Sequence, residues 1–236
     1  MKLRAKAIFI SGTDTGVGKT VITGCLAKYL FEKGYRVITQ KWIQTGCRSV
    51  LSSDIKLHLQ LMRRDTGSIK ELLRFVLPYI FKTPCSPHLA SRIENKKIDE
   101  NKIIKSFKAL SAKLDFVIVE GTGGALVPFN RNRLVIDIAK ELDLAALIVA
   151  ENKLGAINHT LLTIEALTQR KIKILGLVFN NIKEKNKHIL KDNPQIIKTL
   201  TKQNVFGILP SCDSYQSLYK NFIPIGKRIV KSMEET

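Results

Sequence analysis

The stretch Gly12-Thr13-Asp14-Thr15-Gly16-Val17-Gly18-Lys19-Thr20 constrains this chain more than any other. It follows the apolar run Ala7-Ile8-Phe9-Ile10. It opens a segment, Thr20 to Lys33, in which Val21, Ile22, Cys25, Leu26, Tyr29 and Leu30 recur at helical spacing, with Gly34 where a C-cap glycine belongs. Strand, glycine-rich turn and helix together form the context of a phosphate-binding loop. Glycines let the backbone turn tightly, so that successive N–H groups face phosphate oxygens. The helix N-terminus adds the positive end of its dipole. In such a loop Lys19 reaches the β- and γ-phosphates and the Thr20 hydroxyl ligates Mg²⁺. Five residues, Thr13 to Val17, separate the first glycine from Gly-Lys-Thr, one more than the common pattern.

The rest of the chain alternates in the same way. Arg36–Gln40, Phe116–Val119, Ala145–Val149 and Ile174–Val178 read as buried strands, and helices are predicted near Lys102–Lys113, Val135–Leu142 and Ala156–Arg170. Apolar strands joined by helical crossovers predict an α/β fold of the P-loop NTPase kind, with a mostly parallel central sheet and helices on both faces. No internal repeat and no Pro/Gly/Ser linker interrupts the pattern, so residues 1–236 are expected to form a single domain. The polar stretch Lys183–Pro194 reads as the least ordered.

Composition excludes several classes. Hydrophobic residues make up 44% and charged residues 25% of the 236, the balance of a soluble globular protein rather than a disordered or collagen-like one. No apolar run approaches the ~18 residues of a membrane span. The basic start Met1–Lys6 leads into an apolar run that stops at Ser11, too short for a secretory signal, so a cytoplasmic location is expected. Cys25, Cys47, Cys85 and Cys212 are scattered without a CxxC pair, which fits a reducing compartment and argues against zinc. The net charge of +19 raises nucleic acid or an anionic membrane as partners. The lysines are spread over helix faces and loops, however, and an unspecific solvated surface is expected.

A phosphate loop that holds a metal needs carboxylates. Phe116–Val119 ends in Glu120, followed by Gly121-Thr122-Gly123-Gly124. An acid at the carboxyl end of a central parallel strand faces the crevice where open α/β sheets bind ligands. Asp54, after Ser52-Ser53, reads by itself as a helix N-cap. Lys41 ends the second strand, beside the crevice if that strand neighbours the first. It reads either as a charge-neutralising group or as a solvated strand end. Thr45-Gly46 add a hydroxyl and a turn. Trp42, the only tryptophan, either stacks on a ligand or fills the crevice wall. His88, after Pro87, is expected to fix a loop. His58 and His188 read as surface residues of a helix and a loop, and Cys25 as core packing.

Taken together these segments resemble the dethiobiotin synthetase family. Gly12-Thr13-Asp14-Thr15-x-Val17-Gly18-Lys19-Thr20 is similar to that family's phosphate loop, extra residue included, and Lys41-x-x-x-Thr45-Gly46 to its Lys-Pro-x-x-Ser/Thr-Gly. Ser53-Asp54, Pro84-x-Ser86-Pro87-His88, Val119-Glu120-Gly121-x-Gly123-Gly124 and Leu154-Gly155-x-Ile157-Asn158-His159 match in order. Gly176-x-Val178-x-Asn180 and Gly207-x-Leu209-Pro210 resemble its adenine-side segments. The match runs almost the length of the chain.

The resemblance implies an ATP- and Mg²⁺-dependent ring closure of 7,8-diaminopelargonate with CO₂, through a carbamate and a carbamic–phosphoric anhydride, in biotin biosynthesis. It implies Lys19 and Lys41 as catalytic residues and Thr20, Asp54 and Glu120 as metal ligands. ATP would meet Thr15, Gly16, Val17, Gly18, Lys19, Thr20 and Val21. Further contacts would come from Asp54, Glu120, Gly121, Thr122 and Gly123, and from Asn180, Asn181, Leu209, Pro210 and Ser211. The diamine would meet Thr13, Lys41 and Thr45, with its carboxylate tail on Leu154, Gly155, Ala156, Ile157 and Asn158 of the partner in a homodimer. No nucleic acid and no membrane is implied.

Three positions depart from the family pattern. Trp42 replaces the usual proline beside Lys41, Gly16 stands where some relatives carry an acid, and Ser211-Cys212-Asp213 match poorly. A partitioning-type P-loop ATPase on DNA or membrane would suit the charge, but such loops carry an early extra lysine where this one has Thr13-Asp14-Thr15. Phe222–Met233 would be its amphipathic membrane helix, which Pro224 and Gly226 weaken. A cobyrinate-type amidoligase needs a glutaminase domain for which no chain remains. An inactive binding homologue is hinted at by Trp42 alone and opposed by Lys19, Thr20 and Glu120.

Overall fold

The computed structural model describes residues 5–235, so the start of the basic segment, Met1–Arg4, lies outside the described residues. The glycine-rich turn sits where the motif demanded: strand β1 (Lys6–Gly12) runs into it, and helix α1 (Lys19–Glu32) leaves it. Gly34 follows α1 with φ 84°, the left-handed conformation that ends a helix without a Cβ penalty.

The main sheet adds β2 (Val37–Lys41), β5 (Phe116–Glu120), β6 (Ala145–Glu151), β7 (Ile174–Asn180) and β8 (Val205–Leu209) in the order β2-β5-β1-β6-β7-β8, every pair parallel. All five residues of β5 are buried, because β1 and β2 flank it and helices cover it. The order settles a condition left open in the sequence: β2 neighbours β5, not β1. Lys41 is thereby set directly opposite Glu120 in register. A second, two-stranded parallel sheet, β3 (Ile43–Gln44) with β4 (Tyr79–Ile80), brings the segment after β4 back to the end of β2.

Right-handed crossovers assign the helices to faces. Helix α1 packs with α2 (Ser53–Leu61) and with α9 (Tyr215–Glu234) on one face. Helices α5 (Glu100–Ser111), α6 (Val135–Glu141), α7 (Ala156–Gln169) and α8 (Lys187–Thr201) lie in connections that step the other way along the sheet, which by the same handedness puts them on the other face. Two short helices, α3 (Leu73–Val76) and α4 (Pro87–Ile93), lie in the connection from α2 to α5.

Two expectations about disorder and surface are corrected here. Most of Lys183–Pro194 is not irregular but enters α8, whose buried face is narrow (Asn193, Pro194, Ile197) and so is hard to read in the sequence. Pro194 lacks the N–H that would bond the Leu190 carbonyl, and the buried Asn152 Nδ2 donates to that carbonyl instead, at 2.9 Å. His188 is exposed, but in the first turn of this helix rather than in a loop. In α9 the apolar residues Phe222, Ile225 and Ile229 are buried against β7, β8 and α1, so they present no free face to a membrane. Among the described residues no helix is long and apolar enough to cross one.

Candidate active site

Helix α1 has no side-chain cap and no acid in its first turn, so the N–H groups at its start are left for an anion. The loop before it turns through Gly16 and Gly18, at φ 78° and 99°. Gly18 allows more than a turn. A Cβ there would stand 2.0 Å from the Asn180 Nδ2, which donates to the Val17 carbonyl at 3.1 Å. The end of β7 thus braces the loop from behind.

In front of the loop lies a cavity of about 730 Å³. Thr15, Gly16, Gly18, Lys19, Thr20 and Val21 line one wall. Lys41, Thr45, Asp54, Glu120, Thr122 and Gly123 line the floor and the opposite side, together with Gln44 and the turn Pro84–Pro87. The strand ends and α2 make the floor: β2 supplies Lys41, β5 supplies Glu120, and α2 points Asp54 between them. Lys41 Nζ donates to Glu120 Oε1 at 2.8 Å and also pairs with Asp54. Thr20 Oγ1 donates to the same Glu120 oxygen at 2.9 Å. Asp54 is not the helix cap that its neighbourhood suggested, because the Ser52 hydroxyl fills that role by accepting from the Ile55 N–H at 3.2 Å. This frees the Asp54 carboxylate for the cavity.

The electrostatics follow from burial. Burial pushes the Glu120 carboxyl up, but the Lys41 charge and the contact with His58 outweigh it and hold the group at about 2. Burial likewise favours neutral Lys41, and Glu120 and Asp54 overcome it, so its pKa is raised. Lys19 is lowered to about 8, chiefly by burial. Its Nζ donates to the Asp14 carbonyl at 2.8 Å, curled onto its own loop. Burial pushes the fully buried Cys25 thiol up to about 12, as a core residue requires.

A hydroxyl and two carboxylates converge here with a cation already balanced between the acids. Such a hard, all-oxygen set suits Mg²⁺, which takes few protein ligands and keeps its waters. Among the described residues no group of three His, Cys, Asp or Glu side chains could hold a metal, so softer-ligand sites have no candidate there.

The other sequence-predicted residues fall into three places. Val17 is buried under the loop, and Gly121 is pressed against the Phe9 ring and the Ile10 carbonyl. Asn181, Leu209, Pro210 and Ser211 stand at the ends of β7 and β8, where the Asn181 N–H donates to the Leu209 carbonyl at 2.9 Å; they do not line this cavity. Thr13 faces a separate groove beside Gly124–Val127 and α7. Leu154, Gly155, Ala156, Ile157 and Asn158 open α7 away from the cavity, and Leu154 is 79% exposed. This helix start also lacks a side-chain cap and a first-turn acid.

Trp42 meets neither alternative: it does not line the cavity and packs in the hydrophobic core. Its ring is 1% exposed, stacks on Phe9 at 5.6 Å between centroids, and donates Nε1–H to Gln40 Oε1 at 2.9 Å. His88 lies in the first turn of α4, where its backbone N–H donates to the Pro128 carbonyl at 3.3 Å. His58 is the principal correction: it is fully buried, with Nε2 3.0 Å from Glu120 Oε2. The signal was present, since His58 follows Asp54 by four residues and shares its helix face.

Residues 6–217 match the sequence family described as an AAA domain. The chain is 40% identical to the ATP-dependent dethiobiotin synthetase BioD 2 of Haemophilus ducreyi over 84% of this chain and 93% of that protein. It is 39% identical to the ATP-dependent dethiobiotin synthetase BioD of Chlorobaculum tepidum, over 89% and 87%. Similar folds occur in pNOB8 ParA bound to nonspecific DNA, with TM-score 0.60 and 17% identity over 98% of this chain and 99% of that one. The MinC:MinD complex of Aquifex aeolicus gives 0.56 and 18% over 98% and 95%. At such identities the likeness is one of fold, that of the P-loop NTPases. Sequence identity near 40% over most of both chains carries more, and on that ground this chain belongs to the dethiobiotin synthetase family.

Proposed function

We propose that the chain closes the ureido ring of dethiobiotin from 7,8-diaminopelargonate, CO₂ and ATP. The observation that carries this reading is the meeting of Lys41, Asp54, Glu120 and Thr20 directly in front of an uncapped phosphate-loop helix. One amine of the substrate captures CO₂ as a carbamate, losing a proton. A carbamate oxygen attacks the γ-phosphorus of ATP and ADP leaves, giving a carbamic–phosphoric anhydride. The second amine attacks the anhydride carbonyl, the ring closes, and inorganic phosphate departs.

Phosphoryl transfer to a weak nucleophile needs in-line placement and charge neutralisation more than a base. Lys19 is suited to that task, since it lines the cavity and its present acceptor is only a backbone carbonyl. Lys41, kept charged by two acids, is suited to hold the carbamate oxygens against the γ-phosphate. Thr45, on the cavity wall, is suited to bond a substrate amine. Mg²⁺, held by Thr20, Asp54 and Glu120, would neutralise the phosphates during transfer.

The remaining family features are proposed on the same footing. The chain works as one domain and in the cytoplasm. It works as a homodimer, with Leu154–Asn158 receiving the carboxylate tail of the diamine bound by the partner. The exposed, uncapped start of α7 supports that use, as do the exposed Leu126, Leu154 and Leu162 nearby in the fold. Asn180 and the ends of β7 and β8 are proposed on the adenine side, and no nucleic acid or membrane is proposed as a partner.

The test follows ADP and the ureido product together, with Mg²⁺ and bicarbonate, with and without the diamine. Product in step with ADP, lost in Lys19→Ala and Lys41→Ala, is expected. ATP hydrolysis indifferent to the diamine would sink the reading.

A further inference from the structure

The face of α1 that carries Thr20 also carries Gly24, one turn on. A Cβ at Gly24 would stand 2.5 Å from the Leu61 side chain and 3.3 Å from the His58 Cα, so glycine here lets α2 close onto α1. On α2, Asp54 and His58 are likewise one turn apart and face the same way. On β2, Thr39 and Lys41 alternate onto one side. These three surfaces meet around a single carboxylate, Glu120.

The two oxygens of Glu120 are divided between them. Oε1 accepts from Thr20 and Lys41. Oε2 lies 3.0 Å from His58 Nε2, at hydrogen-bond distance but without the alignment of a full bond. Neither of these two atoms has any other hydrogen-bond partner among the described residues. On its far side His58 Nδ1 is 3.0 Å from the Thr39 hydroxyl. With that hydroxyl donating to Nδ1, the ring hydrogen sits on Nε2, the nitrogen nearest Glu120. Both side chains are shut from solvent, so water cannot take the place of either.

We propose that His58 is a positioning residue. It fixes the rotation of the Glu120 carboxylate through Oε2, so that Oε1 stays turned toward Thr20, Lys41 and the metal of the nucleotide complex. Partners of this kind, which hold a liganding carboxylate or imidazole from behind, typically change metal affinity by about 10–100-fold when removed. The metal role rests on the function proposed above, while the contact does not.

The experiment uses the full chain and Mn²⁺ as probe, titrated by electron paramagnetic resonance with a non-hydrolysable ATP analogue present. Turnover is recorded against Mg²⁺ concentration in parallel. His58→Leu keeps the volume and removes the donor; His58→Gln retains a nitrogen donor at the position of Nε2. The expected result is Mn²⁺ binding about tenfold weaker in His58→Leu, a matching rise in the Mg²⁺ requirement, an unchanged KM for the diamine, and recovery in His58→Gln. Wild-type Mn²⁺ affinity in His58→Leu would overturn the proposal. So would equal weakening in both variants with equal loss of thermal stability, the mark of packing alone. A wild-type chain that makes no dethiobiotin, yet shows the expected Mn²⁺ series, would sink the assigned reaction and uphold the role of His58.

Discussion

Lys41 and Glu120 stand 79 residues apart in sequence and directly opposite one another in the parallel pairing of β2 with β5. Their side chains leave the same side of the sheet at its carboxyl edge and meet at 2.8 Å. Asp54 and Thr20 reach this pair from the two helices above it. The chemistry of the site is therefore set by strand register as much as by the phosphate loop.

The Lys41 ammonium occupies the space between two acids that a metal would otherwise neutralise. Replacing it by Met leaves Asp54 and Glu120 facing each other without a cation, and a divalent ion becomes the best remaining partner. Lys41→Met is expected to lower turnover at least about 100-fold while Mn²⁺ binds as tightly as in the wild type, or more tightly. Loss of Mn²⁺ binding in this variant would count against the shared site.

The position of Lys19 predicts a pH dependence. Burial lowers its pKa to about 8, Glu120 pulling it up and Lys41 pushing it further down. A lowered amine pKa means that the charged form is lost as pH rises through about 8. Phosphate binding needs that charge, so kcat/KM for ATP should fall about tenfold per pH unit above about 8. In stability the sign is opposite: the cost of burying the charge is present below about 8 and disappears above 10.5, the usual lysine value. A flat kcat/KM profile to pH 10 would refute the assignment of Lys19 as the phosphate-binding cation in the free protein.

Gly18→Ala should affect fold and site together. The position has φ 99°, and the new methyl would meet Asn180 Nδ2 at 2.0 Å, so the loop loses its brace on β7. Such backbone strain costs about 1–3 kcal/mol. Thermal unfolding should register it at about 2–4 °C per kcal/mol, and calorimetry should show weaker ATP binding. An unchanged ATP affinity would mean that the brace is dispensable.

Asn158→Glu tests the proposed carboxylate site at the start of α7. Asn158 is exposed in the first turn of α7, which has no acid. A carboxylate there stabilises the helix through its dipole by about 0.3–1 kcal/mol but repels an anionic tail. The expectation is an equal or higher melting point, an unchanged KM for ATP, and a KM for the diamine raised about tenfold. If the diamine KM stays put, the tail binds elsewhere.

The phosphate loop, the first helix and its glycine stop, and five of the six strands of the main sheet were legible because each is encoded within a short window. Positive φ at Gly16, Gly18 and Gly34, and apolar spacing along one segment, are local properties of the backbone. Helix α8 was missed because its buried face is only Asn193, Pro194 and Ile197, and a proline normally marks a break. Its lost hydrogen bond is made good by Asn152, which lies far away in sequence.

The partners of the functional side chains were a different matter. The order β2-β5-β1, which no segment of the sequence specifies, puts Lys41 against Glu120. Helical spacing says that Asp54 and His58 share a face, but not whether that face meets solvent or a carboxylate. The same holds for Trp42, whose ring could have faced a ligand and instead packs on Phe9. Backbone conformation depends on a residue and its near neighbours. Which surfaces meet depends on how the whole sheet and its helices bury apolar area at once, and no single segment carries that information.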